Sequence, residues 1–274
     1  MTIDAHQHFW HYDPVKDAWI DETMTAIRRD FLPADLEPVL AANGIEGCIA
    51  VQASQSLAET EFLLDLADRH DFIRGVVGWV DLRAPEVSDQ LARFADHPKF
   101  VGVRHVVQAE AEGFMLDPHF QRGIAALREF NLTYDILILQ HQLGEAGELA
   151  RTFPDQPFVL DHLAKPQVSH GLDPDWATGI ARLAECPNVH GKLSGLVTET
   201  TDWEWTVDDF RPFIDHALDV FGPDRLLFGS DWPVCRLAAN YGQVRKIVET
   251  AVAELPEAER LAIMGSNARR FYGC

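Results

Sequence analysis

The amino-acid sequence predicts an α/β protein folded as a single (β/α)8 barrel, the TIM barrel, with an extra helix at the C-terminal end. Eight short runs of β-branched and apolar residues alternate with eight longer runs of helical periodicity. Such alternation is typical of parallel βαβ units joined by right-handed crossovers. Eight units in about 250 residues fit one barrel. We therefore expect residues 1–274 to form one domain.

The strands are predicted from short apolar runs bounded by turn-forming residues. They cover 3–5, 45–51, 73–80, 100–107, 132–136, 158–160, 189–193 and 226–229. A run with helical periodicity follows each strand, most clearly where Phe62, Leu63, Leu66 and Ala67 share one face. The predicted helices cover 33–42, 57–69, 85–95, 118–130, 144–152, 176–185, 207–220 and 241–253.

A further helix is predicted over 256–270, because Pro256 suits the first position of a helix. A doubly wound open sheet is the alternative arrangement of the same elements. It is disfavoured because no G-x-G-x-x-G motif opens a helix after any strand. The sequence also contains no low-complexity segment or internal linker, which agrees with one domain.

The composition excludes several classes of protein. Lys and Arg number 23 against 43 Asp and Glu, a net charge of −20 that opposes binding to nucleic acid or anionic lipid. The cysteines are scattered without C-x-x-C spacing, which is typical of a reduced protein. No basic and apolar leader precedes Ile3, and no apolar run approaches the roughly 18 residues of a membrane span. We expect a cytoplasmic protein without nucleic-acid or membrane partners; its oligomeric state is left open.

Two histidines near the N-terminus point to a functional site. His6 and His8 are two residues apart in or next to the first predicted strand, so their side chains share one face. Paired imidazoles suit either a divalent metal or two hydrogen bonds to a substrate oxygen. The sequence around them leaves both alternatives open.

Further polar residues fall at the ends of the other predicted strands. The carboxyl ends of barrel strands carry the active site in this fold. Singly, Asp231 could form a turn, His162 could be a satisfied core histidine and Lys192 a structural cation. Their convergence at one end of the barrel favours a site. The residues are Gln52, Gln55, Trp79, Asp81, Arg104, His105, Tyr134, Asp135, Asp161, His162, Lys165, Lys192, Ser194 and Asp231.

This arrangement resembles the amidohydrolase superfamily, which places His-x-His on strand one, His at the end of strand six and Asp at the end of strand eight. The run 265–272 resembles the C-terminal helix of its "amidohydrolase 2" branch. Three motifs resemble the sugar-lactonase group of that branch, and the resemblance spans the whole chain. They are Val103-Arg104-His105, Leu160-Asp161-His162-Leu163-Ala164-Lys165-Pro166 and Phe228-Gly229-Ser230-Asp231-Trp232-Pro233.

The chain departs from the metal-dependent pattern of the superfamily. That pattern expects Lys or Glu on strand four or His on strand five, where this chain has Arg104-His105 and Tyr134-Asp135. An arginine cannot ligate a metal, and its charge disfavours a nearby dication. We therefore expect metal-independent catalysis. If a metal such as Zn²⁺ is bound, the resemblance implies His6, His8, His162 and Asp231 as its ligands.

The resemblance implies hydrolysis of a sugar lactone to its aldonic acid, with L-fuconolactone as the first candidate substrate. Asp231 would be the general base for the attacking water, and would later protonate the departing ring oxygen. His6, His8 and His162 would polarise the carbonyl, each contributing on the order of 3 kcal/mol. The residues expected to hold the sugar are Arg104, His105, Tyr134, Lys192, Trp10 and Trp232, and Trp19 is expected to help close the site.

The sequence leaves two alternatives open. One is a Zn-dependent decarboxylase of an aromatic or muconate-like acid, built on the same branch of the superfamily. The other is a non-catalytic barrel that binds a sugar acid. The Arg104-His105 pair disfavours the decarboxylase, and the His6/His8/His162/Asp231 set disfavours the binder, because a pure binder needs no general base.

Overall fold

The computed structural model describes residues 1–274 and contains one parallel sheet of eight strands in the order β1 to β8. Hydrogen bonds from His8 N to Trp232 O, at 2.7 Å, and from Asp231 N to His6 O, at 2.8 Å, join the last strand end to the first. The predicted (β/α)8 barrel is therefore confirmed. The strands are β1 Ile3–Gln7, β2 Gly47–Val51, β3 Ile73–Gly78, β4 Phe100–Val106, β5 Thr133–Leu137, β6 Phe158–Leu160, β7 Val189–Leu193 and β8 Leu226–Phe228.

The helices form the outer layer, and several begin at a side chain that caps free backbone N–H groups. Ser56 accepts a hydrogen bond from Glu59 N at the start of α2, and Asn240 accepts one from Gln243 N at the start of α8. The helices are α1 Pro33–Ala42, α2 Leu57–Arg69, α3 Val87–Ala95, α4 Pro118–Leu127, α5 Leu143–Thr152, α6 Pro174–Ala184, α7 Val207–Phe221, α8 Tyr241–Ala251, α9 Glu257–Leu261 and α10 Asn267–Tyr272.

The C-terminal region differs from the predicted continuous helix over 256–270. A π-helical segment, Ala262–Ser266, separates α9 from α10. A side chain at Gly265 would meet Met1 O at 2.3 Å and Ile3 N at 2.8 Å. The backbone of the N-terminal residues thus lies against this segment, and only glycine leaves room for it.

Two apolar clusters fix where the site lies. The larger, of 69 buried residues, fills the space between sheet and helices. The smaller lies inside the barrel, where Ile3, Ala5 and their neighbours pack with Tyr272 of α10. Because α10 covers this end of the barrel interior, the polar strand ends lie at the opposite end. None of the helices combines the length and apolar character needed to cross a membrane.

Candidate active site

The four residues predicted to be catalytic converge at the carboxyl ends of the strands. His6 Nε2 lies 3.2 Å from His8 Nε2 and 3.8 Å from Asp231 Oδ1. Asp231 Oδ1 also lies 3.3 Å from His8 Nε2 and 3.9 Å from His162 Nε2. All four side chains are buried. One carboxylate oxygen is thus surrounded by three imidazole nitrogens.

The proton of neutral His8 can be assigned from its partner. Its Nδ1 lies 2.7 Å from the carbonyl oxygen of Val51, which can only accept a hydrogen bond. Nδ1 therefore carries the proton, and Nε2 presents a lone pair toward His6 and Asp231. A neutral His8 offers the centre of the site an acceptor, not a donor.

His6 has partners of both signs behind it. Its Nδ1 lies 3.1 Å from Lys192 Nζ and 3.3 Å from Asp161 Oδ1. Burial holds the pKa of His6 well below its usual range, against the opposing charge of Asp161. The imidazole is therefore neutral at pH 7, and either of its nitrogens can carry the proton, depending on which neighbour it contacts.

His162 is carried by an unusual turn. It follows β6 and begins a run, residues 162–165, in which every residue has a positive φ, from 48° to 60°, although none is glycine. For L-residues this left-handed conformation costs roughly 1–2 kcal/mol per residue. The turn directs His162 Nε2 toward Asp231, while its Nδ1 lies 2.8 Å from Ser194 Oγ. Burial lowers the pKa of His162 to about 4, so this ring is also neutral at pH 7.

Two glycines leave space for these histidines. A side-chain carbon on Gly195 would lie 2.4 Å from His162 Nδ1, and one on Gly229 would lie 2.7 Å from His6 Cβ. Gly195 also has a φ of +66°, in the region that favours glycine. The close approach of the segments that follow β7 and β8 to the two imidazoles therefore depends on these positions lacking a side chain.

Asp231 is held so that its carboxylate faces the cavity. Its φ is +56°, and its backbone N–H donates to His6 O at 2.8 Å. Burial alone would raise the pKa of Asp231, but the proximity of His162, His8 and His6 holds it below its usual range. The group is therefore ionised at neutral pH, as a general base must be.

A buried cluster of charged side chains contacts His6 at its Nδ1 atom. Lys192 Nζ contacts Asp135 Oδ2 at 2.5 Å and Asp161 Oδ1 at 2.9 Å, and Asp161 Oδ2 lies 3.1 Å from Arg104 Nη1. Tyr272 of α10 donates its hydroxyl to Asp135 at 2.9 Å. Burial raises the pKa of Asp135 to about 6, and its neighbour Asp161 adds to that rise against the charge of Lys192.

Lys192, predicted to hold the sugar, is fully buried in this cluster and does not line the cavity. Its ammonium instead sets the position of His6 Nδ1. Asp135 and Asp161 lie at predicted strand ends, but the sequence indicates no role for either. Their role could have been inferred from charge alone, because a buried lysine and arginine require carboxylate partners.

The site opens into a cavity of about 440 Å³. Trp10 and Trp19, from the loop after β1, form part of its wall, with ring centroids 6.1 Å apart in an edge-to-face arrangement. The indole N–H of Trp10 donates to Arg29 O at 2.9 Å, which fixes the ring. Arg104 also lines the cavity, so Trp10 and Arg104 lie where the sequence predicts.

Three predicted substrate-binding residues point away from the cavity. His105 follows Arg104 on β4 and so faces the opposite side, stacked on Phe114 with ring centroids 4.8 Å apart. Tyr134 packs against the rings of Phe120 and Phe158 on the outside of the barrel. Trp232 is buried against the aromatic rings of Phe9 and Phe31. These three side chains belong to the packing between sheet and outer layer, and their assignment to substrate is not supported by their positions.

Other residues line the cavity without having been predicted to bind substrate. They lie mostly on loops, where no periodicity indicates which side chain points inward. Lys165 stands out because it belongs to the motif that contains His162. The additional polar lining residues are Lys16, Ser54, Gln55, Gln108 and Lys165.

The family model described as amidohydrolase matches residues 3–274. The chain belongs to the amidohydrolase family. An L-fucono-1,5-lactonase of Burkholderia multivorans is 42% identical to it, over 99% of this chain and 96% of the relative. An L-fucono-1,5-lactonase of Burkholderia ambifaria is 38% identical, over 99% and 95%. Crystal structures of an amidohydrolase from Burkholderia multivorans, one with bound HEPES and one with bound zinc, superpose with a TM-score of 0.96 at 40% identity, covering 100% of this chain and 99% of that one.

The donor atoms of this amidohydrolase fit a divalent metal. A tetrahedral zinc ion at about 2.1 Å from each ligand keeps its ligand atoms about 3.3–3.4 Å apart. The ligand atoms of His6, His8 and Asp231 lie 3.2 to 3.8 Å apart and can share one ion, whereas His162 Nε2 lies 3.9 Å from Asp231 Oδ1 but not within 4.8 Å of all three. The lone pair of His8 Nε2 is directed at other acceptors, and a bound cation would give it a favourable partner. The site is therefore able to hold a metal, and the expectation that none is needed remains untested.

Proposed function

We propose that this amidohydrolase hydrolyses a sugar lactone to its aldonic acid, with L-fucono-1,5-lactone as the first substrate to test. The observation that carries the proposal is the Asp231 carboxylate, which lies beside His8 and His162 in the wall of a cavity of about 440 Å³ and has His6 3.8 Å behind it. Lactonases of this name match the chain over nearly its whole length at 38% and 42% identity, which supports the same reaction here.

Asp231 acts as the general base in the proposed mechanism. Its carboxylate takes a proton from water as the water adds to the lactone carbonyl carbon, forming a tetrahedral oxyanion. The carboxylic acid then gives this proton to the ring oxygen as the ester bond breaks, which releases the open-chain aldonic acid, and the acid passes its carboxyl proton to solvent. One group thus serves both proton transfers, and general acid–base catalysis of this kind contributes typically 10²- to 10⁴-fold.

The oxyanion requires stabilisation, and the histidines differ in what they supply. His162 can donate from Nε2 when Ser194 donates its hydroxyl to Nδ1, and His6 can donate from Nε2 when Lys192 donates to its Nδ1. Neutral His8 cannot donate at Nε2, because its proton is on Nδ1. In a metal-free reaction the donors are therefore His6, His162 and the guanidinium of Arg104.

A bound zinc ion would be held by His6, His8 and Asp231, and would supply Lewis-acid polarisation of the carbonyl. Under that arrangement the remaining residues keep their roles: Asp161 and Lys192 orient His6, Ser194 orients His162, and Arg104 faces the substrate. Trp10 and Trp19 cover the apolar face of the sugar and exclude water. The metal-free reaction stays a prediction, and chelation distinguishes the two versions.

The test is lactone hydrolysis followed by acid release with a panel of aldonolactones, using untreated and chelator-stripped enzyme. We expect D231N to lower kcat by about 10²- to 10⁴-fold. D155N is the matched control, because Asp155 is an exposed carboxylate paired with Arg128 on the surface. Activity that survives stripping supports catalysis without metal, whereas activity that is lost on stripping and restored by Zn²⁺ supports a metal-dependent reaction.

The two alternatives are not favoured by the full-length lactonase relatives, and each makes a contrary prediction. A decarboxylase would release CO₂ from an aromatic or muconate-like acid and hydrolyse no lactone. A pure binder would show no turnover, and D231N would retain ligand affinity. A wild-type enzyme that hydrolyses no lactone in the panel refutes the proposed function.

A further inference from the structure

The left-handed turn that carries His162 also carries a lysine into the cavity. Lys165 is three residues later, and its backbone N–H donates to His162 O at 2.9 Å, which closes the turn. Both side chains line the cavity. A strained turn that directs two polar side chains to the same cavity is typical of a functional site.

Lys165 differs from the other cations that line the cavity in how its donors are used. Lys16 Nζ donates to Glu59 at 3.1 Å, and Arg104 Nη1 donates to Asp161 at 3.1 Å. Lys165 Nζ has Glu199 as its ion-pair partner, but the closest oxygen lies 3.6 Å away, beyond hydrogen-bond distance.

The lysine side chain is nevertheless only 22% exposed. An ammonium has three donors, and buried polar groups are normally hydrogen-bonded. The geometry therefore leaves the donors of Lys165 available at the cavity wall. The nearby Glu199 carboxylate balances its charge, so the position suits neutral oxygen atoms better than a second anion.

We propose that Lys165 is a specificity-determining residue that donates hydrogen bonds to hydroxyl oxygens of the lactone substrate. This inference rests on the proposed lactone hydrolysis and adds to it the recognition of ring hydroxyls. Asp231 already provides the proton for the leaving ring oxygen, so Lys165 contributes to substrate binding and not to bond cleavage. Its loss should therefore change KM more than kcat.

The test compares two lactones with the same ring but different hydroxyls. K165M removes the donors while keeping an unbranched side chain at the left-handed position. With L-fucono-1,5-lactone we expect KM to rise about tenfold to hundredfold, the effect of losing a hydrogen bond to a charged donor, with kcat within about threefold. With δ-valerolactone, which has no hydroxyls, we expect kcat/KM to be unchanged.

Two variants control the experiment. K246M makes the same substitution at an exposed position of α8 and should leave both substrates unaffected. K165R keeps charge and donors and should retain KM for L-fucono-1,5-lactone within about threefold. K165R also tests the inference if K165M fails to fold. If the KM of K165R rises tenfold or more although its donors are kept, hydrogen bonding by Lys165 to the substrate is contradicted.

An equal loss on both lactones, or an unchanged KM for L-fucono-1,5-lactone in a folded K165M, overturns the role of Lys165. Either result with an active wild type leaves the proposed function intact. A wild type that hydrolyses neither lactone refutes the proposed function and this inference together, so the two failures are distinguishable.

Discussion

Substituting Gly195 by alanine should misplace His162 without removing any polar group. The new methyl carbon would lie 2.4 Å from His162 Nδ1 and 2.6 Å from its Cγ, whereas ordinary contacts begin at 3.4 Å. The imidazole must therefore move by about 1 Å, and a misplacement of this size at a reacting centre costs on the order of 10²-fold in rate. We expect G195A to lower kcat/KM for lactone hydrolysis by about that factor.

The same substitution also has a backbone cost, which a control must separate from the clash. Gly195 has φ +66° and ψ 2°, a left-handed conformation that costs alanine roughly 1–2 kcal/mol. Gly113 has φ +86° and ψ 0°, but a side chain there would meet nothing within 4 Å. G113A should therefore lose a similar amount of stability without losing activity.

The assay pairs urea denaturation with lactone hydrolysis for both variants. The reasoning predicts that G195A loses at least as much stability as G113A and about 10²-fold more activity. If G195A keeps wild-type activity while remaining folded, the position of His162 against β7 does not matter to the reaction. If G113A loses activity equally, the effect comes from the backbone and not from the contact with His162.

Two further predictions concern buried charge. D161N leaves the buried Arg104 without its carboxylate partner and Lys192 with Asp135 alone, so we expect the free energy of unfolding in urea to fall by about 3–5 kcal/mol. D215N breaks an exposed pair and should cost only about 0.3–0.5 kcal/mol; equal losses would contradict the assignment. Burial, with two nearby arginines, lowers the pKa of His190 to about 4. The unfolded chain then binds this proton first as pH falls, so stability should drop by roughly 2–3 kcal/mol from pH 7 to pH 4. H190Q should show a smaller fall in the free energy of unfolding between pH 7 and pH 4, measured by urea denaturation. A fall as large as that of the wild type would refute this reasoning.

Much of the fold could be predicted because the signals are local. The observed bounds of α1, α2, β6 and β7 coincide with the predicted ranges, since capping residues and apolar periodicity lie within those segments. The interruption between α9 and α10 could not be predicted. It depends on Gly265 contacting the backbone at Met1 and Ile3, a contact between distant parts of the chain.

The site residues divide in the same way, into those that residue type and strand position indicate and those that they do not. His6, His8, His162 and Asp231 could be found from residue type and strand position, because a barrel brings its strand ends together. From the sequence, both His105 and Arg104 are expected to hold the sugar, although adjacent strand residues face opposite sides. Only one of that pair could line the cavity, and the residue pattern did not decide which.

The charge of Arg104 is balanced by neighbouring carboxylates that its position in the sequence does not reveal. From the sequence, its charge disfavoured a dication at the histidines. In the structure Arg104 lies 3.1 Å from Asp161, and Lys192 contacts Asp135 and Asp161 within 3 Å. Two buried carboxylates thus balance two buried cations, and Asp231 is left as the uncompensated charge facing three imidazoles. A lone carboxylate among imidazoles attracts either a metal ion or the protons of a reacting water, so Arg104 gives no reason to prefer one over the other.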